Sequence, residues 1–584
     1  VTATDKQEMR REANRRFEAM LDARREYEPW WQELRAQFAP NRGRFTVREK
    51  PKRDIMRKNS KPRQIPDDFA AGIKSGLTSP SRPWFTLTLF DSRMAELERV
   101  KAWLTKVQDI MQGSMIRTNL YDQLFDAYKE QGIFGTGCLL IEEDDEDVFH
   151  ARSLTIGSYA IGTDEKGRVN RLGRSFSYTL RQLAAEFGEE ALPEELRLSL
   201  RDRAEGQNGL DGRRFEVRHL IEPSEEFRRE EGKAGLYRYR SLWWLVGYRE
   251  PEFLRISGYH ERPFMAPRWR IVGDDIYGRE QPGDVGLDDA RTVQELETDE
   301  RSAIKKGVAP PVVMPSNLLE GNLHDYPGGV TTYLPVGPTG TAPVITPLYA
   351  VNFDHQSAAA KRMELIARLE ETFYVNFFRM WTSDLRQGRT ATEIQAREAE
   401  KMYMLGPLIE RQMSELLDPL IERIFGIMER RGMFPPPPDE LVGSDVKIEY
   451  TSILANVQKQ AAQVGMEIVI QTVGTLAQMQ GATGQYPAVL DKLDCDEVID
   501  QLADAFALPA GIVLGDDAVA ELRAVREQQQ QEQAQQQQMA EAAIQAAQAA
   551  PQVAGAMKDM AETPVGGGSA LEAMAGMAEG GEVM

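Results

Sequence analysis

Residues 289–311 read DARTVQELETDERSAIKKGVAPP, and residues 352–380 read NFDHQSAAAKRMELIARLEETFYVNFFRM. The first stretch predicts a helix of about 27 Å, with Asp288 or Asp289 as its N-cap and Pro310-Pro311 as its stop. The second predicts a returning helix of about 40 Å. Between them, Val308–Pro347 is rich in Gly and Pro, with short apolar runs at Val312–Met314, Val330–Leu334 and Val344–Ile345. That pattern reads as a small β tip with turns. The polar loop Trp381–Arg389 follows, and Thr390-Ala391-Thr392-Glu393 fits a capping box. The helix it opens runs to Arg431, with a kink expected at Gly406-Pro407. Two long helices that carry an extended tip and no clustered catalytic residues suit a ring-forming tube. Helices side by side can line a channel while the tip docks something else.

Working outward, Lys6–Phe38 reads as one amphipathic helix, because Phe17, Leu21, Tyr27, Trp31, Leu34 and Phe38 recur at helical spacing. From Arg42 to Arg63, ten Lys and Arg face only Glu49 and Asp54. Such a run is either a solvated loop balancing acidic neighbours or a contact to nucleic acid or an acidic partner surface. Ile65–Gly76 reads as helix, Phe85–Phe90 as strand, and Met94–Gly132 as helical again. Cys138–Glu142, Phe149–Ile161, Phe215–Ile221, Tyr237–Tyr248 and Phe253–His260 read as strands, interrupted by an acidic helical insert at Leu180–Glu205. Pro435–Pro438 breaks the long helix and Lys447–Tyr450 reads as a strand. The remainder reads as helical to about residue 550, through the Gln-rich run Glu527–Gln538, and the Gly/Ala/Met-rich tail Met557–Met584 is expected to be mobile.

The chain has 584 residues, 41% hydrophobic and 28% charged, which is enough for several domains. A net charge of −20 argues against non-specific attraction to duplex DNA. Cys138 and Cys495 lie far apart and suggest no disulfide framework. Val1–Arg16 is charged from Asp5 onward and lacks the apolar core of a signal peptide. Ala461–Met479, although apolar, carries Glu467 and several Gln, so no membrane span is expected.

Catalytic signatures are missing. His150, His219, His260, His324 and His355 are scattered, without metal-ligand spacing, and neither His-Glu-x-x-His nor Cys-x-x-Cys occurs. Gly132-Ile133-Phe134-Gly135-Thr136-Gly137 resembles a phosphate loop only superficially. Its order is wrong and no Lys follows, so it reads as a tight turn before a strand. With 91 Asp and Glu, chance carboxylate pairs carry no information. No catalytic residue, cofactor or metal is expected.

The order of elements resembles the portal (head-to-tail connector) proteins of short-tailed, podovirus-type bacteriophages. The resemblance rests on Trp30-Trp31 with Phe38-Ala39-Pro40, on Leu77-Thr78-Ser79-Pro80-Ser81-Arg82-Pro83-Trp84-Phe85, and on Gly135-Thr136-Gly137. It continues through Tyr277-Gly278-Arg279 and Lys305-Lys306-Gly307-Val308-Ala309-Pro310-Pro311. Thr390-Ala391-Thr392-Glu393 with Arg397-Glu398, Leu405-Gly406-Pro407, Pro419-Leu420 and Pro435 is its most specific part. It spans Lys6 to Gln530.

The resemblance implies an α+β, mainly α chain with wing, stem, clip and crown regions, assembled as a dodecameric ring at one capsid vertex. Residues 1–285 would be the N-terminal part and wing, 286–307 and 351–380 the stem helices, and 308–350 the clip. Residues 381–390 would be the tunnel loop, 391–440 the long wing helix, 441–550 the crown or barrel helices, and 551–584 the tail. Asp384, Arg386, Gln387, Gly388 and Arg389 would face the DNA. Asn317, Glu320, His324, Asp325 and Tyr326 would dock the terminase and later the tail. Implied partners are double-stranded DNA read without sequence preference, the terminase large subunit, major capsid and scaffolding proteins, and tail adaptors. The place implied is the virion, with assembly in the host cytoplasm and no membrane. For the basic segment Arg42–Arg63, capsid or tail protein is the expected contact, since DNA in a conduit should not be held tightly. The alternatives are another virion protein, of the tail or internal ejection type, and a Mg²⁺-dependent nuclease.

Overall fold

The computed structural model describes residues 3–46, 58–81, 83–89, 94, 97–204, 213–224, 237–308, 312–313, 346–347, 352–376, 409–441 and 446–449. Toward the C-terminus it adds 519–520, 522–526, 528–529, 555, 558, 564–565 and 568–569. The chain divides into a unit of residues 1–490 and a unit of 491–584. The second unit contributes short helical pieces and the strand pair Pro564–Val565 and Gly568–Ser569. The expected kink at Gly406-Pro407, the Gln-rich helix beyond residue 529 and most of the tail fall outside the described residues.

The fold is mixed helix and sheet, mostly helical. The expected single N-terminal helix is two: α1, Ala3–Arg25, and α2, Glu28–Phe38. The break falls at Pro29, which has no N–H for the carbonyl of Arg25 and sits in the first turn of α2. At the end of α1, Arg24 is buried and donates through Nη1 to the carbonyls of Gly157 (2.6 Å) and Tyr159 (3.1 Å). α3, Lys61–Leu77, starts with Pro62 in its first turn, where the missing N–H costs nothing. β1, Thr86–Leu89, is followed by α4, Glu98–Arg117, and α5, Leu120–Phe134.

The glycine-rich stretch at 132–137 is a helix stop. Gly135 caps α5 at φ 83°, and a Cβ there would lie 2.4 Å from the Gly278 carbonyl oxygen. Only glycine takes that backbone without strain.

β2, Leu139–Asp144, pairs with β3, Val148–Ser153, and with β9, Phe264–Met265. The strand expected over 149–161 is divided between β3 and β4, Tyr159–Thr163, by a turn at Gly157 (φ 82°). β4, β5 (Val169–Thr179), β6 (Arg214–Pro223), β7 (Tyr239–Leu245) and β8 (Arg255–Tyr259) form an antiparallel meander in that order. Consecutive residues of a strand face opposite sides. Trp244, with Leu220 and Leu242, therefore packs on Phe17 and Met20 of α1. Trp243, with Val217 and Leu245, packs on the other face against α6, Leu180–Phe187, and α7, Glu194–Ala204.

The main core gathers Trp31, Phe38, Phe69, Trp84, Tyr128, Phe134 and Tyr277. Burying a large apolar side chain contributes about 1.5–3 kcal/mol. Tyr277 lies under Tyr27 and Trp31 at ring distances of 5.1 and 4.9 Å, which ties residues 277–281 to α2.

Candidate functional site

α9, Leu287–Val308, begins after the short turn α8, Pro282–Val285. Asp288 and Asp289 lie inside its first turn rather than at its N-cap, and Lys305 and Lys306 in its last. Both pairs oppose the helix dipole favourably. α10, His355–Thr372, is capped by Asp354, whose Oδ1 accepts from the N–H groups of Gln356 (3.0 Å) and Ser357 (3.2 Å). The Ser357 hydroxyl and these N–H groups hold the Asp354 carboxyl below its usual range.

The two helices run antiparallel. Arg368 of α10 pairs with Asp289, Arg362 with Glu297 (3.2 Å) and Glu300, and His355 faces Glu300 at 3.5 Å. The bond from Arg362, then that from His355, keeps the Glu300 carboxyl below its usual range. Partly exposed pairs of this kind add little stability singly, but their order fixes the register of one helix on the other.

Only one end of the pair is rooted. Leu287, Ala290 and Val293 of α9, and Leu365, Leu369 and Phe373 at the end of α10, join the main core, where Phe373 meets Phe38 at 5.4 Å. At the other end, Ile304 and Val308 are exposed. There β10, Val312–Val313, pairs with β11, Thr346–Pro347, so the insert between them leaves and returns at one place. The residues expected to dock there, Asn317, Glu320, His324, Asp325 and Tyr326, lie outside the described residues.

The returning helix is interrupted after Thr372 by a turn at Phe373-Tyr374, where Tyr374 takes φ 57°, and Val375 and Asn376 are helical again; residues 377–380 lie outside the described ones. Phe373 and Val375, on either side of Tyr374, are both buried against the core. Asp384, Arg386, Gln387, Gly388 and Arg389 also lie outside the described residues.

The chain is described again from residue 409, and that helix is held by buried polar groups. Gln412 Nε2 donates to Gln131 Oε1 at 2.5 Å, with both side chains fully buried. A π-helical turn, Met413–Leu417, precedes Pro419, the residue that cannot donate to an ordinary α-helical ladder. From that turn Glu415 receives Arg268 at 2.7 Å, a buried fork that also ties down residue 167 through its carbonyl. α11, Asp418–Arg430, carries Arg423, fully buried between Glu261 (2.7 Å) and Glu143 (3.2 Å). Arg430 bridges the same two carboxylates. Burial pushes the Glu261 carboxyl up, but the bonds from Arg430 and Arg423 outweigh it and leave it low. Both flanks of 377–408 are thus fixed to the core.

The basic segment is held at its ends. Arg42 reaches Glu130 (3.2 Å) and Asp126, and Arg44 N donates to Ile156 O (2.9 Å). Burial pushes the Glu130 carboxyl up, against the pull of Arg42 and the Ile156 N–H. At the far end, Gln294 Oε1 accepts from Lys58 N (2.9 Å) and Asn59 N (3.1 Å), and Gln294 Nε2 returns a bond to Asn59 O (2.8 Å). The segment is therefore stapled to α9. Gln294 went unnoticed because one Gln on a charged helix carries no signal. Arg423, inside the apolar run 419–428, did carry one.

Among the described residues, no group of His, Cys, Asp and Glu is arranged to hold a metal ion, and no helix is long and apolar enough to cross a membrane. The family model described as bacteriophage head to tail connecting protein matches residues 10–514. The chain belongs to that family. The connector is 33% identical to a probable portal protein of Bordetella phage BPP-1 over 518 residues, covering 87% of this chain and 90% of that one. It is 32% identical to the portal protein of Salmonella phage epsilon15 over 572 residues, covering 96% of each. A chain from the neck of an empty GTA particle overlaps 78% of the connector at 11% identity and a TM-score of 0.32, too little to argue from. The connector's role is that of a portal, a structural component of the phage virion that joins head and tail.

Proposed function

We propose that copies of this chain, twelve per ring, form a channel at one capsid vertex through which double-stranded DNA is packaged and later leaves. In this reading α9 and α10 are the stem, residues 308–347 the clip that takes the terminase and then the tail, and 381–389 the tunnel loop. The observation that carries it is the helix pair: rooted in the core at one end and joined at the other to an insert whose two ends are clamped together by β10 and β11. A stiff spoke with a closed tip is what a ring needs to line a bore and present a docking rim.

Charge supports a passive conduit. At −20 per chain, twelve copies carry about −240 formal charges, so DNA is repelled from most of the wall and stays hydrated. Arg386 and Arg389 of the loop then supply transient phosphate contacts without reading sequence. The family is structural, and the work of translocation falls to a separate ATPase.

Deleting residues 382–388 tests the loop. Rings are expected to form and DNA packaging to fail; rings that package normally without the loop would remove its assigned role. Exchanging 317–326 for a Gly/Ser linker should leave rings intact and abolish terminase docking.

A further inference from the structure

Two outer sheet edges of the first unit are closed by side chains. On β3, Asn119 Nδ2 donates to Ala151 O (2.8 Å), its Oδ1 accepts from Ala151 N (3.0 Å), and Gln123 accepts from Ser153 N (2.7 Å). On β4, Arg24 donates to Tyr159 O and the Tyr277 hydroxyl accepts from Ile161 N (3.2 Å). β8 is different. It pairs with β7 on one side, through Tyr239↔Tyr259, Ser241↔Ser257 and Trp243↔Arg255, and no described strand pairs with its other side. Half of its N–H and C=O groups therefore point outward. Its single charge, Arg255, is taken up by Glu186 (3.1 Å) and the Phe187 ring.

This edge borders a cleft of about 520 Å³ whose lining mixes Glu142, Glu143, Asp144 and Glu186 with Arg152, Arg255 and Arg430. Beside it the β2–β3 hairpin is acidic, because residues 142–147 read EEDDED. Glu142 is met by Arg174, Glu143 by Arg423 and Arg430, and Asp145 by Arg431. Glu146 and Asp147 have no ion-pair partner among the described residues.

We propose that the outer edge of β8 is a strand-addition site, and that its occupant is residues 47–57 of a second copy of this chain. That segment reads VREKPKRDIMR, five bases against two acids, which complements the acidic hairpin. Arg48, Lys50 and Lys52 alternate, so an extended chain presents all three on one face. The same three residues share one hydrogen-bonding edge, which leaves Pro51 on the opposite edge. There its missing N–H costs nothing and stops further strand growth. Residues 225–236 of the same chain carry four Glu against three bases, so they offer that hairpin no net positive charge. The inference rests on the ring reading, since adjacent copies supply the segment at high local concentration.

The test mixes two full-length variants, Lys50→Cys in one chain and Ser257→Cys in the other, co-assembled and treated with a short bismaleimide. With Cys495 replaced by Ser in both chains, and Cys138 buried, only contact between copies yields a covalent dimer of the two variants. The dimer is expected in rings seen by electron microscopy, and is expected to vanish when the first chain also carries Arg48→Glu and Lys52→Glu. Intact rings without the dimer overturn the proposal and leave the ring reading standing. A second arm does not need rings: a fluorescent peptide of residues 46–58 is added to the unassembled chain. Binding should weaken about tenfold with Glu146→Lys and Asp147→Lys together. If no ring forms but the peptide binds in this way, the docking site stands and the ring reading fails. No binding, or binding indifferent to these substitutions, overturns the site.

Discussion

Replacing Gly426 by Ala tests how the helix after the candidate tunnel loop is held. Helix propensity alone predicts a gain of about 1 kcal/mol. The structure predicts the opposite sign. A Cβ at 426 would lie 2.3 Å from Glu261 Oε1 and 2.6 Å from its Cδ, so the carboxylate must move away. Its departure leaves the fully buried Arg423 with Glu143 alone, at 3.2 Å. Removing one partner of a buried ion pair costs about 3–5 kcal/mol. Because Glu143 remains and Glu261 is partly exposed, about 2–3 kcal/mol is the appropriate cost here. Subtracting the propensity gain leaves Gly426→Ala destabilising by about 1–2 kcal/mol.

The assay is urea unfolding together with hydrogen exchange over 418–430, which reads the local opening even where a chain of this size is not two-state. Gly113→Ala in α4 is the control, since its Cβ would meet nothing within 4 Å and should stabilise. In a Glu261→Ala background the Gly426→Ala change should also become stabilising, which closes a double-mutant cycle. If Gly426→Ala stabilises the otherwise unaltered chain as Gly113→Ala does, the ion cluster does not hold α11.

Other tests follow from the same geometry. His219 is fully buried, stacked 3.7 Å from Trp243, and accepts from Arg174 through Nδ1 at 2.9 Å, so burial and then Arg174 hold its pKa well below the usual value. The stability this neutral imidazole contributes is complete above about pH 6.5 and is lost as pH falls below that. A His219→Gln chain should show a flatter acid limb in pH-dependent unfolding, and an unchanged limb would refute the assignment. Gln294→Ala should release the staple on Lys58 and Asn59, seen as faster hydrogen exchange there with little change in global stability; unchanged exchange would deny it. Thr179→Ala removes a capping box at the start of α6 and should cost about 1 kcal/mol in urea unfolding; no change would mean α6 does not depend on it.

The paired helices around the insert were legible because Pro310-Pro311 and the Gly/Pro-rich stretch mark the break between two helical patterns. The strand at 446–449, paired with β1, was legible from its short apolar alternation. β5 was not. Its sequence, VNRLGRSFSYT, places Arg174 inward, and the arginine is buried only because His219 and Glu142 meet it. A buried polar network erases the alternation that marks a strand. The break after α10 was equally hidden: residues 373–380 contain no Gly or Pro, so nothing local marks the left-handed turn at Tyr374. For the site, the residues expected to form the loop and the clip lie outside the described ones. Sequence reading missed the anchors at Gln294, Arg268 with Glu415, and Gln412 with Gln131, because a pairing across the fold leaves no local pattern.

The most direct measurement is electron microscopy of the purified chain, alone and with a candidate scaffolding protein, together with mass determination of any assembly. The account predicts closed rings with a central channel and a mass near twelve times 65.8 kDa. A monodisperse monomer under both conditions would contradict it.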